Sequence, residues 1–307
     1  INTLRRRVEA WSGDQPLRLR IGGVAITLAL TLGSGCAGWL IERWALHTQG
    51  LLQIIAIVAL LTGLASALAA RSLERSVLNV ISALPSNENG DLSAAREKLG
   101  WIVGRDTTSL SRDEILRATA ETASENAVDG LFAPLFWMLV GACLWSLGFS
   151  ASPGPLALAW AFKAASTLDS MLGYRRGRLR WLGTAGARLD DLLTWLPCRL
   201  VMLSLPMISK PIWQWPATVI KAESQGRHDA SPNAGRSEAI YAHCAGVQLG
   251  GRNRYGDRWV DKDLLGADQP IADRDGVIRI LRLTQRLELL WLLAVAFCSW
   301  RLQASVQ

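Results

Sequence analysis

The chain has 307 residues, of which 50% are hydrophobic and 19% are charged. Soluble globular domains carry about a quarter charged residues, so the composition counts against a soluble enzyme and excludes a disordered chain, a coiled coil and a fibrous repeat. Fourteen Trp and a net charge of +7 favour a membrane protein, because Trp lies at membrane interfaces and Arg anchors cytoplasmic loops. The same charge would attract an anionic substrate. No nucleic-acid partner is expected, because the sequence carries no basic-aromatic binding module.

Apolar segments with the length of a membrane span recur along the chain. A transmembrane helix needs about 20 predominantly apolar residues. The predicted spans are residues 21–41, 51–70, 131–149 and 155–172, with 192–220 as a kinked or hairpin element and 287–300 as a partial span. The predicted fold is therefore an all-α, polytopic integral membrane protein, with residues 1–307 as a single membrane-embedded domain. Cytoplasmic helical and Gly-rich loop regions connect its spans.

The distribution of Arg and Lys predicts the orientation of these spans. Arg residues are frequent before the first span and after the second and fourth, whereas only Arg43 separates the first two. By the positive-inside rule, the N-terminus and residues 71–126 and 174–191 face the cytoplasm. Residues 221–286 should share that side, because the motifs described below must meet. The predicted location is the cell inner membrane, with multiple passes and with the loops that carry these motifs facing the cytoplasm.

Local signals predict further helices. Ser111 and Glu114 form a capping-box sequence that opens a helix through about Asn126. Helices are also predicted over 73–81, 93–104 and 237–247, the last within a polar, Gly-rich and loop-like region at 221–280. In the first span, four glycines suit close helix packing in lipid: Gly22, Gly33, Gly35 and Gly38.

Three carboxylates lie one helical turn apart in the sequence ETASENAVDG. Glu121, Glu125 and Asp129 share one face of the predicted helix, where like charges repel unless a cation lies between them. A divalent metal or an ammonium substrate would supply that cation. A solvated helix face is the alternative, although this helix leads into an apolar span where idle carboxylates are costly.

A polar stripe lies inside the apolar segment at 155–172. Its members are Lys163, Ser166, Thr167, Ser170 and Tyr174. A stripe with a lysine in an apolar helix marks a site that faces a bundle interior or a cavity. Asp169 borders the stripe, where it could ligate a metal or form a purely structural ion pair with Lys163.

The remaining candidates open helices or lie in turns. Asp190 and Asp191 could hold Mg²⁺ through one or two oxygens, or serve as helix N-terminal acids. Arg188 could clamp a phosphate or a carboxylate, or simply anchor the segment. Gly250 and Gly251 could let backbone amides approach a phosphate, although a plain turn is the alternative and no P-loop signature follows.

Taken together and in this order, the motifs resemble the CobD/CbiB family of cobalamin-biosynthesis proteins, the adenosylcobinamide-phosphate synthases. The resemblance runs from about Leu99 to Leu283. It is carried by WIVGRDT, ETASENAVDG followed by APLF, KAASTLDSMLGY, ARLDD with WLPCRL, SPNAG with Glu238, and LGGRNRYG. The combination is highly specific, although each string alone is not.

The resemblance implies a membrane enzyme of the late corrinoid pathway, with residues 1–307 as a single catalytic domain and with active-site loops that face the cytoplasm. Such an enzyme joins adenosylcobyric acid to 1-amino-2-propanol, ethanolamine or the O-phosphate of either through a new amide. ATP and Mg²⁺ are the expected cofactors, and the corrinoid is a substrate. Membrane lipid is a further expected partner, and a homodimer or other corrinoid-pathway enzymes are left open. A polytopic transporter and a non-catalytic scaffold of the corrinoid pathway are the alternatives.

The resemblance and the residue patterns together assign roles to single residues. Expected catalytic residues are Lys163, Asp169, Ser170, Tyr174 and Glu125. Expected metal ligands are Glu121, Glu125, Asp190 and Asp191. Expected substrate contacts are Arg105, Asp106, Asn126, Asp129, Arg188, Ser231, Asn233, Glu238, Gly250, Gly251 and Asn253.

The chain departs from the family's usual pattern at a few positions. Ser166 and Thr194 stand where the family has Asn, and Arg236 and Ser237 stand where an aromatic residue or Pro is common. The Asp-Pro and His-Pro-Val stretch that usually opens the family is absent, so we expect the chain to lack its natural start. These departures bear on the fine positioning of the substrate and leave the predicted fold unchanged.

Overall fold

A computed structural model describes the backbone of residues 1–87, 90–174, 176–255 and 258–306, and the side chains there except at 255, 258 and 297–306. The described chain consists of helices and one two-stranded antiparallel sheet. Its residues divide into two compact units. Unit 1 contains Ile1–Ala69 and Asp129–Pro197, and unit 2 contains Ala70–Val128 and Cys198–Gln307.

Unit 1 consists of helices, and most of them are long and apolar. They are α1 (Asn2–Ser12), α2 (Pro16–His47), α3 (Gly50–Ala67), α7 (Ala133–Ser146), α8 (Pro155–Leu172), α9 (Leu179–Leu182) and the first part of α10 (Thr184–Ser209). A π-helical turn at Val128–Phe132 precedes α7. Part of its core forms where α2, α8 and α9 bury Leu19, Leu168 and Leu182 against one another.

Unit 2 mixes helices with the sheet. It contains α4 (Ala70–Ala83), α5 (Ser93–Gly100), α6 (Arg112–Ala127), the end of α10, a 3₁₀ turn (Ile212–Gln214), α11 (Trp215–Gly226), α12 (Ala234–Ala245), β1 (Leu249–Tyr255), β2 (Arg258–Leu265) and α13 (Arg274–Val306). The predicted capping box is confirmed. The Ser111 side chain accepts from the backbone of Glu114, and the Glu114 side chain accepts from the backbone of Ser111 at 2.7 Å.

Four helical segments of the described chain are long and apolar enough to cross a membrane: Pro16–His47, Gly50–Ala67, Arg112–Ser146 and Thr184–Ser209. This finding supports the predicted all-α, polytopic membrane protein. The predicted helix at 155–172 has the bounds of α8, but α8 is not one of the four. Lys163, Asp169 and several hydroxyls make it less apolar, and it packs instead against α2, α3 and α7.

The segment at 192–220, predicted as a kinked or hairpin element, is helical over most of its length. Pro197 and Pro206 both lie within α10, and the break comes at Pro211. After the break the Trp215 indole donates back to the carbonyl of Leu203 at 2.6 Å. The predicted partial span at 287–300 is part of the longer α13, and its membrane role stays a prediction.

The Gly-rich region corrects one prediction. Leu249–Tyr255 and Arg258–Leu265 pair as antiparallel strands rather than forming a loop, and α11, which begins within the predicted 192–220 element, continues as a helix to Gly226. The predicted helix at 237–247 is present as α12, whose Tyr241 hydroxyl meets the Thr284 hydroxyl of α13 at 2.8 Å.

Glu42 is a buried carboxylate within the apolar α2. Its oxygens accept backbone hydrogen bonds from Gly154 at 2.9 Å, Leu156 at 2.6 Å and Ala157 at 3.1 Å. These are the free amides at the N-terminus of α8, which an anion stabilises. Glu42 therefore fixes α8 against α2.

Two of the four glycines in the first span permit close packing as predicted. A Cβ at Gly38 would lie 2.8 Å from the Cα of Ala157, and one at Gly22 would lie 2.2 Å from Val8 Cγ1. A Cβ at Gly35 would make an ordinary contact. A Cβ at Gly33 would meet nothing within 4 Å among the described residues, so close packing there stays a prediction.

Each unit is compact by itself, and the single catalytic domain over residues 1–307 stays a prediction.

Candidate functional site

Glu121 is the centre of a buried charge network in unit 2. It lies in α6, is 6% exposed, and accepts hydrogen bonds from the guanidinium groups of Arg105 and Arg117. The backbone amide of Gly250 donates to Glu121 Oε1 at 2.9 Å. Both carboxylate oxygens are thus engaged by the protein itself. This role differs from the predicted metal ligand, and the metal assignment stays a prediction.

The same arginines hold the β-hairpin. Asn253 in β1 is 3% exposed, and its Oδ1 accepts from Arg105 and, at 3.1 Å, from Arg117. Arg117 also donates to the carbonyl oxygens of Gly250 and Arg252. The expected substrate contacts Arg105, Asn253 and Gly250 are therefore brought together, but they bind one another and dock the hairpin on α6.

The backbone conformation at positions 250 and 251 favours glycine. Their φ angles are +81° and +88°, a region that residues with a Cβ rarely adopt. A Cβ at Gly250 would also lie 2.0 Å from the carbonyl oxygen of Asp263. Nearby, Asp106 Oδ1 accepts from the backbone and hydroxyl of Thr108, and its own amide donates to the Arg254 carbonyl at 3.0 Å.

Two arginines bind the turn before α12, which is formed by Ser231, Pro232 and Asn233. Arg199 Nη1 donates to Asn233 Oδ1 at 2.5 Å, and both Arg199 and Arg236 donate to the Pro232 carbonyl. The Ser231 hydroxyl accepts from the backbone amide of Asn233 at 3.2 Å. Ser231 and Asn233, both expected substrate contacts, thus shape the turn that starts α12.

A cavity of about 280 Å³ lies in unit 2 between α11, α12 and β2. Its titratable lining residues are His228, Asp229, Glu238, Asp261, Lys262 and Asp263. We call it the Glu238 cavity. Lys262 Nζ lies 2.9 Å from Asp229 Oδ2 and 3.5 Å from Glu238 Oε1. Glu238 is 2% exposed, and its Oε2 is buried without a hydrogen-bond partner among the described residues.

Burial and neighbouring charges shift the pKa values of two groups in the cavity, Glu238 and Lys262. Burial raises the pKa of Glu238, and the carboxylates of Glu121, Glu125 and Asp229 act in the same direction, while Lys262 opposes them. Burial by itself would lower the pKa of Lys262, but Glu238 and Asp229 outweigh it and raise that pKa. The negative charge of Glu125 raises the pKa of both Glu238 and Lys262.

Lys262 and Asp229 are residues that the sequence analysis missed. Lys262 lies in β2 opposite Gly251, so its contact with Glu238 depends on the register of the two strands, which the prediction of a loop does not contain. Asp229 lies two residues before Ser231, and its Oδ1 accepts from the Ser231 amide at 3.0 Å. The sequence signal for it was an Asp at the spacing at which Asp side chains bond the backbone two residues on.

In unit 1 the acids that act on Lys163 differ from the Lys163–Asp169 pair that the sequence suggested as one alternative. Lys163 lies within electrostatic range of Asp129 and Asp190, and Asp169 lies near Asp191. Lys163 and Asp169 are six residues apart, which is about 240° around a helix. They therefore point in different directions, and the carboxylates that act electrostatically on Lys163 come from other segments.

The hydroxyls of the polar stripe bond within their own helix. Thr167 donates to the Lys163 carbonyl at 2.7 Å, and Ser170 donates to the Ser166 carbonyl at 3.0 Å. Tyr174 is 46% exposed and lies against the Arg176 guanidinium. Lys163 and Thr167 also line a second cavity of about 280 Å³ within unit 1. The catalytic roles of Lys163, Asp169, Ser170 and Tyr174 stay predictions, as do the substrate roles of the exposed Arg188 and Asn126.

The described residues contain no group of three or more His, Cys, Asp or Glu that could hold a metal ion. Mg²⁺ is commonly bound through one or two carboxylates together with substrate phosphates. Asp190 and Asp191 offer that donor chemistry as adjacent carboxylates in α10, one buried and one half-buried. The carboxylates of Asp190 and Asp191 are thus suitable Mg²⁺ ligands by chemistry and position. The full set of four expected metal ligands stays a prediction.

The fold and the site define a helical, multi-span membrane protein with a buried charge network and a charged cavity in unit 2. The model of the CobD/Cbib protein family matches residues 1–284. The chain belongs to this family. Its membership confirms the predicted place in late cobalamin biosynthesis and the predicted enzyme class, the adenosylcobinamide-phosphate synthases.

Curated relatives agree with this membership. The chain is 44% identical to the cobalamin biosynthesis protein CobD of Synechocystis over 80% of the chain and 68% of that protein. It is 39% identical to CobD of Pelobacter propionicus, with 84% and 73% covered, and 38% identical to CbiB of Salmonella arizonae, with 80% and 67% covered. No solved structure matches the chain significantly.

Proposed function

We propose that the protein joins adenosylcobyric acid to 1-amino-2-propanol, or to its O-phosphate, by an ATP- and Mg²⁺-dependent amidation that gives adenosylcobinamide or its phosphate. The observation that carries this proposal is the Glu238 cavity, where buried carboxylates and a lysine converge in a chain of the CobD/CbiB family. Ethanolamine and its phosphate are the alternative amines.

The proposed reaction has three needs that charged side chains meet. A carboxylate must be activated, an amine must be received, and phosphoryl charge must be stabilised. Asp190 and Asp191 would hold Mg²⁺, which supplies charge neutralisation at the nucleotide phosphates when it is bound. Lys163 lies near Asp190 and is available to stabilise a developing negative charge.

ATP turnover separates this proposal from its rivals. Purified protein in detergent should release ADP or AMP only when adenosylcobyric acid, the amino alcohol and Mg²⁺ are all present. A transporter would not couple nucleotide turnover to the amine in this way. Corrinoid binding without any nucleotide turnover would indicate a non-catalytic scaffold and contradict the proposal.

A further inference from the structure

The Glu238 cavity carries more negative than positive charge. Four carboxylates line it, against one lysine and one imidazole. His228 Nδ1 faces Asp263 Oδ2 at 2.7 Å, and Lys262 is shared between Asp229 and Glu238. The field of such a cavity favours a cation as its ligand.

Glu238 gives an independent sign that a ligand is needed. Its side chain is 3% exposed, and its Oε2 is buried with no hydrogen-bond partner in the part of the chain that the structure describes. Native proteins satisfy nearly all buried polar atoms, because an unpaired one is costly. An N–H donor of a bound molecule would complete the coordination of Glu238.

The cavity suits an ammonium group better than a metal ion. Mg²⁺ needs a near-octahedral shell of oxygens at about 2.0–2.1 Å, and the described residues provide no group of three candidate metal-binding side chains. A primary ammonium has three N–H donors and needs only a few acceptors, which Glu238 and Asp229 provide.

The size and the apolar lining of the cavity limit the rest of the ligand. Its volume of about 280 Å³ lies just below the range of about 300–1,000 Å³ that holds drug-sized molecules, and it is far too small for a macrocycle. Val260 and Leu265 also line it and would contact a short carbon chain.

We infer that the Glu238 cavity binds a small primary ammonium compound, whose N–H groups donate to Glu238 and Asp229. The identity of this compound rests on the proposed function, under which it is the amino alcohol that enters the new amide. Glu238 is then a substrate-binding residue for the amine, and Lys262 limits the net negative charge around the bound cation.

Equilibrium dialysis of the full chain in detergent, without ATP or corrinoid, tests this inference. The probes are 1-amino-2-propanol, its O-phosphate and the neutral analogue 1,2-propanediol. We expect at least one amine to bind and the diol not to bind. Glu238→Gln removes the charge at nearly constant shape and should weaken amine binding roughly tenfold or more, as for a lost charged hydrogen bond.

Two further variants make the result specific. Glu97→Gln makes the same chemical change at an exposed position of α5 and should leave binding unchanged. Ala230→Phe fills the cavity from an exposed position without altering its charge, and it should raise the KM for the amine while leaving the KM for ATP unchanged. This second variant keeps the test valid if Glu238→Gln folds poorly.

Several outcomes would overturn the inference. They are unchanged amine binding in Glu238→Gln and Ala230→Phe, equal binding of amine and diol, and failure of both amines to bind at millimolar concentration. Mg²⁺ that binds alone, displaces the amine and is lost in Glu238→Gln would identify a metal site instead. If the wild type forms the amide and amine binding is unchanged in Glu238→Gln and Ala230→Phe, this inference is contradicted and the proposed function is not. Glu238-dependent binding without amide formation would contradict only the proposed function.

Discussion

Glu121 places one negative charge between two arginines that are themselves largely buried. The Arg105 and Arg117 side chains are 6% and 13% exposed, and Glu121 is 7% exposed. Removing one member of a buried charge cluster leaves the others uncompensated, which is more costly than losing the attraction alone. The residue identified from sequence as a metal ligand therefore has a measurable structural role.

We predict that Glu121→Gln destabilises the protein by about 3–5 kcal/mol. Thermal unfolding in detergent measures the loss, with Glu97→Gln as the exposed control. A metal ligand would behave differently, because its loss would shift the Mg²⁺ dependence of turnover while stability stayed near that of the wild type. That second pattern would contradict the structural role and restore the metal assignment.

Glu223 gives unit 2 a pH-dependent contact. Arg236 donates to its two oxygens at 2.8 and 2.6 Å, and these hydrogen bonds lower the pKa of Glu223 from its ordinary 4.5, against a smaller opposing effect of burial. A carboxyl with a lowered folded-state pKa stabilises the fold above its unfolded-state pKa and loses that contribution as the pH falls.

Thermal unfolding from about pH 6 down to about pH 3 should therefore show a smaller decline in Glu223→Gln than in the wild type. The difference should be absent above about pH 6, apart from a constant offset, because Glu223 is ionised there in both states. Since Glu223 is partly exposed, we expect a modest effect. Parallel curves for the two proteins across the whole range would show that the Arg236 contact contributes nothing.

At the scale of elements, α8 is fixed at its first turn by a residue from another helix. Glu42 accepts from three backbone amides there, and its carboxylate is fully buried. Glu42→Leu would leave those amides without an acceptor. A buried donor left unpaired costs about 1–3 kcal/mol.

We predict that Glu42→Leu lowers the free energy of unfolding by about 3 kcal/mol or more, and that Glu42→Gln, which keeps one carbonyl acceptor, has a smaller effect. Since α8 carries Lys163, amide formation should fall in the same order. Leu40→Ala changes a 60% exposed residue of the same helix and serves as the control. Equal stability in Glu42→Leu and Leu40→Ala would show that the cap does not hold α8.

The elements also show what sequence alone can predict. Spans and helices were predicted well where the signal is local, as in the capping box of α6 and the apolar run of α3. The β-hairpin was missed because β1 contains Gly250 and Gly251 and lacks alternating apolar residues. The pairing of Lys262 with Glu238 and Asp229 was missed for the same reason, because it depends on hairpin register and on the packing of α12 against β2.

For the whole molecule, the charge pattern predicts that the polar motifs share the cytoplasmic side. In a variant without its native cysteines, single cysteines at Ala230 and Arg188, both exposed, should react with impermeant thiol reagents only after the inner membrane is opened. A cysteine in the uncharged turn at 150–154 should react in intact spheroplasts. Labelling of position 230 from the periplasm would contradict a shared cytoplasmic site.

The central claim is that the chain makes an amide between a corrinoid acid and an amino alcohol. Mass spectrometry of the corrinoid after incubation of purified protein with adenosylcobyric acid, ATP, Mg²⁺ and 1-amino-2-propanol or its O-phosphate tests it directly. We expect the mass of the acid plus the amine minus one water, formed only with the complete mixture and strongly reduced in Glu238→Gln. An unchanged corrinoid mass with every candidate amine, from protein shown to be folded, would contradict the account.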